Sequence, residues 1–210
     1  MTTIQGCIED CLGPDHGFCT KPADAELPSR VLEVGVDNST IRLIEPRGKV
    51  TRYICLSHCW GNEQIITTKK STMKERMAAI KMEDLSKTFQ DAVILTRLLR
   101  VQYIWIDSLC IVQDDVRDWE AQSSKMCDIY RKAYLTIAAT SAKDGRGGLF
   151  RKTPNFEVSR VTPGADGREY RVFFRERINH HLDCSAGVTV PVMAKVGHAT
   201  ITHCPILTRA

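Results

Sequence analysis

What this chain lacks narrows it first. Its 210 residues contain no run of eighteen apolar residues, so no membrane-spanning helix is expected. The start, Met1-Thr-Thr-Ile-Gln-Gly-Cys7, has neither a basic leader nor an apolar stretch and does not read as a secretory signal. Lys and Arg number 29 against 25 Asp and Glu, a formal charge of +4, yet no run of five or six basic residues occurs. No stripe for nucleic acid is expected. The motifs of several enzyme classes are missing too. There is no Gly-x-Ser-x-Gly elbow and no His-Glu-x-x-His, and the glycine-rich Gly145-Arg-Gly-Gly148 lacks the Gly-Lys-Ser/Thr of a phosphate loop. No internal repeat or low-complexity tract appears.

Cysteine is not scarce. There are nine, an odd count, and Cys55, Cys59, Cys110 and Cys127 fall inside apparent strands and helices. That distribution suits reduced, buried thiols in a cytoplasmic protein better than a disulfide scaffold. Cys7, Cys11, His16 and Cys19 lie close together among Gly and Pro. Four soft donors in a loop could hold a structural zinc, although their spacings do not make the paired Cys-x-x-Cys pattern of strong zinc sites.

Hydrophobic residues make up 43% of the chain, enough for one domain with an ordinary core. Three textures follow one another. Residues 1–48 are loop-rich, broken by Gly13-Pro14, Pro22, Pro28 and Gly48, with two short strands expected over 31–36 and 40–44. Residues 49–150 alternate between strand and helix. Residues 151–210 return to turns and short strands, and Pro163-Gly-Ala-Asp-Gly167 separates two β-prone runs as a hairpin would.

The middle region sets the fold class. Strands are expected over 53–58, 103–111 and 134–139. Between them, Thr88 with Asp91 reads as the capping box of a helix whose Phe89, Ala92, Val93, Thr96 and Leu99 share a face. Asp118 reads as the cap of a second helix carrying Trp119, Gln122, Met126, Ile129 and Ala133 on one face. Strand and helix in alternation predict an α/β fold with a parallel sheet, flanking helices, and β-rich additions at both ends. Such sheets bind ligands beyond the carboxyl ends of their strands, where 57–62, 107–115 and 140–144 should meet.

Asp107 interrupts the apolar run Tyr103-Ile-Trp-Ile-Asp-Ser-Leu-Cys-Ile111. A carboxylate there is costly unless it is paired, hydrogen-bonded or near water, so it either faces a cleft at the strand's end or holds a buried polar network. Asp114, Asp115 and Asp118 nearby read as solvated or capping residues. In Leu56-Ser-His-Cys-Trp-Gly61, alternation puts His58 and Trp60 on one face and Ser57 and Cys59 on the other. A Cys59–His58 nucleophile pair is therefore not expected. The plainer expectation is a core strand whose Trp60 packs and whose Gly61 turns.

Taken together, Tyr53-Ile-Cys-Leu-Ser-His-Cys-Trp-Gly61, Thr88-Phe-Gln-Asp-Ala92, the run from Tyr103 to Asp115, Asp118-Trp119, Met126, Ile129-Tyr130, Ala133 and Gly147-Gly-Leu-Phe150 resemble the fungal heterokaryon incompatibility (HET) domain. Upstream, Cys11, His16, Cys19 and Leu27-Pro-Ser-Arg30 look like the segment that often precedes it. Pro205-Ile-Leu-Thr-Arg-Ala210 looks like the start of an element that continues in the family, so a C-terminally truncated domain is expected. The resemblance implies a cytoplasmic fungal protein of non-self recognition that triggers programmed cell death through protein partners or self-association. It also implies a TIR-like three-layer core, and with it two alternatives to the signalling role: a TIR-like hydrolase with NAD as its substrate, or an inactive truncated remnant. On the hydrolase reading Asp107 and Glu120 are the catalytic carboxylates and Ser57, Trp60 and Gly61 line the pocket. Gln122 stands where many HET sequences place Glu, and it cannot ionise.

Overall fold

A computed structural model describes residues 2–11, 13, 24–36, 40–61, 65–140, 142–150, 158–163, 169–174, 193–196 and 199–201. The parallel core follows from the longest apolar runs of the sequence. Strands β5 (Ile54–Ser57), β6 (Tyr103–Ile106) and β7 (Leu135–Ala138) lie side by side in the order β7-β5-β6, and both pairings are parallel. All four residues of β6 are buried, as expected of a strand covered on both faces.

The sheet is nevertheless mixed, which corrects the expectation of a parallel sheet. Strands β2 (Val31–Glu33) and β3 (Arg42–Ile44) pair antiparallel with each other, and β2 pairs antiparallel with β6. At the other edge β10 (Met193–Val196) pairs antiparallel with β7 and with β11 (Ala199–Ile201). The full order is β11-β10-β7-β5-β6-β2-β3, and five of its seven strands come from residues 31–138. Short connections join β2 to β3 and β10 to β11, and strands joined without a crossover must pair antiparallel. Two small sheets lie apart: β1 (Ala25–Glu26) with β4 (Val50–Thr51), and β8 (Val158–Pro163) with β9 (Glu169–Phe174), the expected hairpin.

The helices depart from expectation in instructive ways. Residues Thr2–Cys11 form helix α1 rather than loop, because Ile4 and Ile8, one turn apart, are both buried in the core. The polar connection after β5 holds helix α2 (Met73–Ala78) and a 3-10 turn (Met82–Asp84). Helix α3 (Lys87–Leu98) is capped by Ser86, whose hydroxyl accepts from the Phe89 amide, so Thr88 is not the cap. Thr88 lies inside the helix and is buried. The expected face of α3 is real: Phe89, Ala92, Val93 and Thr96 are buried, while Ile94 and Leu98 opposite are exposed.

The 103–111 run is not one strand. It leaves the sheet after Ile106 and makes a single helical turn, α4 (Asp107–Cys110). The helix expected from Asp118 to Ala133 is two helices, α5 (Val116–Ser123) and α6 (Met126–Lys132). At the break, the Ser123 and Ser124 hydroxyls donate to the carbonyls of Glu120 and Ala121, the competition with helical bonding that such hydroxyls offer. Asp115 rather than Asp118 caps α5. Trp119 is exposed, not part of a packed face. The core between sheet and helices is led by Trp105, Tyr53, Tyr103, Phe89 and the aliphatic residues of β2, β5 and β6, each contributing roughly 1.5–3 kcal/mol on burial.

Candidate functional site

The parallel register decides which residues meet. Leu56 of β5 lies beside Ile106 of β6, so the chain beyond each strand emerges next to the other. His58 follows β5 and Asp107 follows β6. Nε2 of His58 is 3.0 Å from Oδ1 of Asp107, and the indole N–H of Trp60 donates to Oδ2 at 3.1 Å. The Ser108 amide donates to Oδ1 at 2.6 Å. The alternation placing His58 and Trp60 together thus holds beyond the strand's end, and one carboxylate gathers both.

Burial grades the three. The His58 side chain is 2% exposed and that of Asp107 20%. The His58 ring meets Phe89, in the first turn of α3, edge-on at 4.8 Å. Trp60 is 40% exposed, so it is not the packed core residue expected from its strand-like setting. Burial works against ionising Asp107, but the bonds from His58, Trp60 and the Ser108 amide outweigh it and hold the carboxyl below its ordinary range.

This geometry limits the chemistry. Both nitrogens of His58 face oxygens, Nε2 the Asp107 carboxylate and Nδ1 the Cys59 carbonyl at 3.3 Å. Which nitrogen donates depends on the tautomer, and each already has an oxygen beside it. No ring nitrogen is left to activate Cys59 or Ser57 as a nucleophile. The group facing outward is the carboxylate, with His58 behind it.

The third exit closes the site on one side. Gly61 has φ +66, and a Cβ there would lie 2.6 Å from Cβ of Asp144. The turn after Trp60 therefore needs glycine and rests on Lys143 and Asp144, two residues of the third expected exit. Gly145-Arg-Gly-Gly148 has a role of its own. The Gly145 carbonyl accepts from the Thr88 amide, the Thr88 hydroxyl accepts from the Gly148 amide at 3.1 Å, and Asp91 accepts from the Leu149 amide at 2.8 Å. This loop seats the start of α3 and so supports Phe89 under His58.

The other carboxylates disperse. Asp114 accepts from the Lys70 amide, and Asp115 caps α5 and pairs with Lys70. The hydrogen bond from Lys70 leads in holding the Asp115 carboxyl low. Asp118 pairs with the buried Arg30 and accepts from the Val112 amide, while Arg30 also donates to the Cys110 carbonyl. Burial opposes ionisation of Asp118, and these bonds override it. Among the described residues no group of three or more His, Cys, Asp or Glu could hold a metal ion. Cys7 and Cys11 stand four residues apart on α1, and His16 and Cys19 lie outside the described residues.

Of the residues expected at the site, Trp60 and Asp107 are brought together, and Gly61 shapes the turn beside them. Ser57 is exposed at the end of β5. Glu120 is exposed on α5, while Gln122, two residues on and round the helix, is buried. No contact found among the described residues joins Glu120 to Asp107. His58 was not among the expected site residues. Its signal was available in the alternation it shares with Trp60 and in its position one residue past a strand parallel to that of Asp107. Cys55, Cys59, Cys110 and Cys127 are free thiols. Cys55 and Cys110 are buried as expected, and burial pushes Cys110 up to about 12; Cys59 and Cys127 are exposed.

No helix among the described residues is long and apolar enough to cross a membrane. No curated protein and no solved structure matches the chain. The family model described as "Heterokaryon incompatibility protein (HET)" matches residues 53–183, a span that begins at β5 and takes in His58, Trp60, Asp107 and the loop that seats α3. Since the match covers more than half of the sequence, the chain belongs to the heterokaryon incompatibility (HET) family.

Proposed function

We propose that this chain acts in non-self recognition after cell fusion in a filamentous fungus, as a cytoplasmic module that triggers programmed cell death through protein partners or self-association. The family match over residues 53–183 carries this reading. Three parallel strands with their exits gathered at one end are consistent with a TIR-like layered core to which the antiparallel edges are additions. Induced expression in a filamentous fungus tests it. Cell death accompanied by concentration-dependent oligomers is the expected result. Normal growth at high levels of soluble, folded protein would overturn it.

A second reading is favoured by one observation: a carboxylate held ionised at the strand exits while still one-fifth exposed. Cleavage of NAD at its nicotinamide–ribose bond passes through an oxocarbenium-like state, which a nearby carboxylate stabilises. Asp107 would supply that charge, Glu120 would be a second carboxylate, and Ser57, Trp60 and Gly61 would border the ligand. The measurement is NAD content after induction, with the double variant Asp107→Asn, Glu120→Gln beside the parent. Death at an unchanged NAD level removes this reading and leaves the first intact.

A further inference from the structure

A groove of about 580 Å³ is walled by three segments: the loop 27–30 between β1 and β2, the turn 45–48 between β3 and β4, and helix α6 with its cap. That volume is in the range that holds a small organic ligand. All three segments lie within the described residues, and His58, Trp60 and Asp107 are not among the groove's walls. Its buried lining is largely apolar, with Leu27, Pro28 and Ile129. Its exposed lining is charged. Lys125 and Lys132 come from α6 and its cap, and Asp128 between them is paired with Arg131 at 2.6 Å. The other two segments and β1 bring Arg47, Glu26 and Glu45.

Among the described residues none of Arg47, Lys125, Lys132, Glu26 and Glu45 takes part in an ion pair. Three cations against two carboxylates leave a surplus of one positive charge, which favours an anion over a cation or a neutral zwitterion. Arg30 adds a fixed donor to the same groove. Its side chain is 10% exposed, Nε donates to the Cys110 carbonyl and Nη2 to Asp118, so the guanidinium is held in one place. Its Nη1 has no hydrogen bond among the described residues, yet it is not one of the buried atoms left without a partner. That nitrogen therefore keeps access to solvent. A guanidinium fixed on one side and open on the other suits the oxygens of a phosphate. Glu26 and Glu45 repel a bare phosphate but accept from hydroxyls, and the apolar lining receives a C–H face. One molecule that carries all three features is a phosphorylated sugar.

We propose that this groove binds a sugar phosphate, its phosphate held by Arg30, Lys125 and Lys132 and its hydroxyls by Glu26 and Glu45. Isothermal titration of the full chain with ribose 5-phosphate tests it. Saturable binding is expected, with ribose and inorganic phosphate each at least about tenfold weaker, the scale of one charge-assisted bond. The double variant Lys125→Ala, Lys132→Ala should lose at least about tenfold in affinity, and both side chains are exposed, so the fold is not at stake. The double variant Glu26→Ala, Glu45→Ala should weaken ribose 5-phosphate without weakening inorganic phosphate. No saturable binding by the parent chain overturns the proposal, and so does binding that survives loss of both lysines. Inorganic phosphate or O-phosphoserine bound as tightly as ribose 5-phosphate overturns the sugar. Adenosine 5′-monophosphate bound more tightly overturns a free sugar phosphate as the source. Cell death and NAD content are read separately, so a failure here leaves the proposed function as it stands.

Discussion

Asp91 and Asp107 are both carboxylates bordering apolar runs, and the fold uses them differently. Asp91, on α3, is 1% exposed. Its oxygens take the Lys87 ammonium and the Leu149 amide, and Gly148 is pressed against it. Everything it touches belongs to the seat of α3. Asp107, at the exit of β6, is hydrogen-bonded three times against the two bonds of Asp91, but one partner is an exposed indole and one-fifth of its side chain meets solvent. The first carboxylate is consumed by the structure. The second is held in a defined state and left partly unused. That difference, rather than the presence of an acid in an apolar run, marks a site.

The largest expected effect lies on the structural side of this pair. Asp91→Ala leaves the Leu149 amide unpaired and releases the loop from α3, at a cost of about 2–4 kcal/mol. A fall in the urea midpoint of unfolding measures it. A loss below about 1 kcal/mol would mean that the seat of α3 does not depend on Asp91, and the contrast with Asp107 would break. Gly148→Ala attacks the same contact from the other side. Gly148 has φ +70, and a Cβ there would lie 2.6 Å from Oδ2 of Asp91. Because that oxygen is fixed by the Leu149 amide, it has little room to yield, and about 2 kcal/mol is expected. In the Asp91→Ala background the contact is gone and the penalty should shrink towards the backbone part alone, a coupling that a double-mutant cycle reads directly.

Asp107→Asn should cost less, about 1 kcal/mol or below, because Asn can still accept from the indole and the site is partly solvated. Its signature is pH dependence. The folded carboxyl is held below its ordinary range, so its contribution is complete above the ordinary carboxylate pKa of about 3.9 and drains away as the pH falls through the lower, folded value. The parent should lose this increment on acidification and the Asn variant should not. Parallel stability–pH curves for the two proteins would mean that the fold does not hold the Asp107 carboxyl low.

Much of this contrast was legible before any coordinates. The three parallel strands announce themselves as apolar runs, the buried face of α3 as a 3.6-residue period, and the β8–β9 hairpin as two β-prone runs around Pro and Gly. Asp107 stood out because nothing else polar breaks its strand so early. The misreadings came from contacts across long sequence distances. Ser86 and Thr88 are equally good caps locally. The loop at Gly145–Gly148 decides between them, by engaging the Thr88 hydroxyl inside the helix. Trp60 looks like a core residue to any pattern of hydrophobicity, and its polar partner is 47 residues away. His58 was weighed against its neighbour Cys59, whereas its partner lies just past the end of the adjacent strand. Glu120 and Gln122 show the reverse: two residues apart on a helix, one is exposed and the other buried.

The smallest effect has an informative sign. Ser108 follows Asp107 and is wholly buried, and its hydroxyl has no hydrogen-bond partner among the described residues. Its amide and carbonyl are both used, by Asp107 and by the Thr68 amide, so the backbone of this turn is fixed whatever the side chain does. A buried hydroxyl without a partner costs desolvation and returns nothing. Ser108→Ala removes that cost while leaving the amide that steadies Asp107, and the expected result is unchanged or slightly higher stability, by up to about 1 kcal/mol. A loss of more than about 1 kcal/mol would mean that the hydroxyl does bond within the turn, and Asp107 would then rest on a network as closed as that of Asp91. A neutral result leaves the carboxylate anchored by backbone, His58 and Trp60 while part of it still meets solvent.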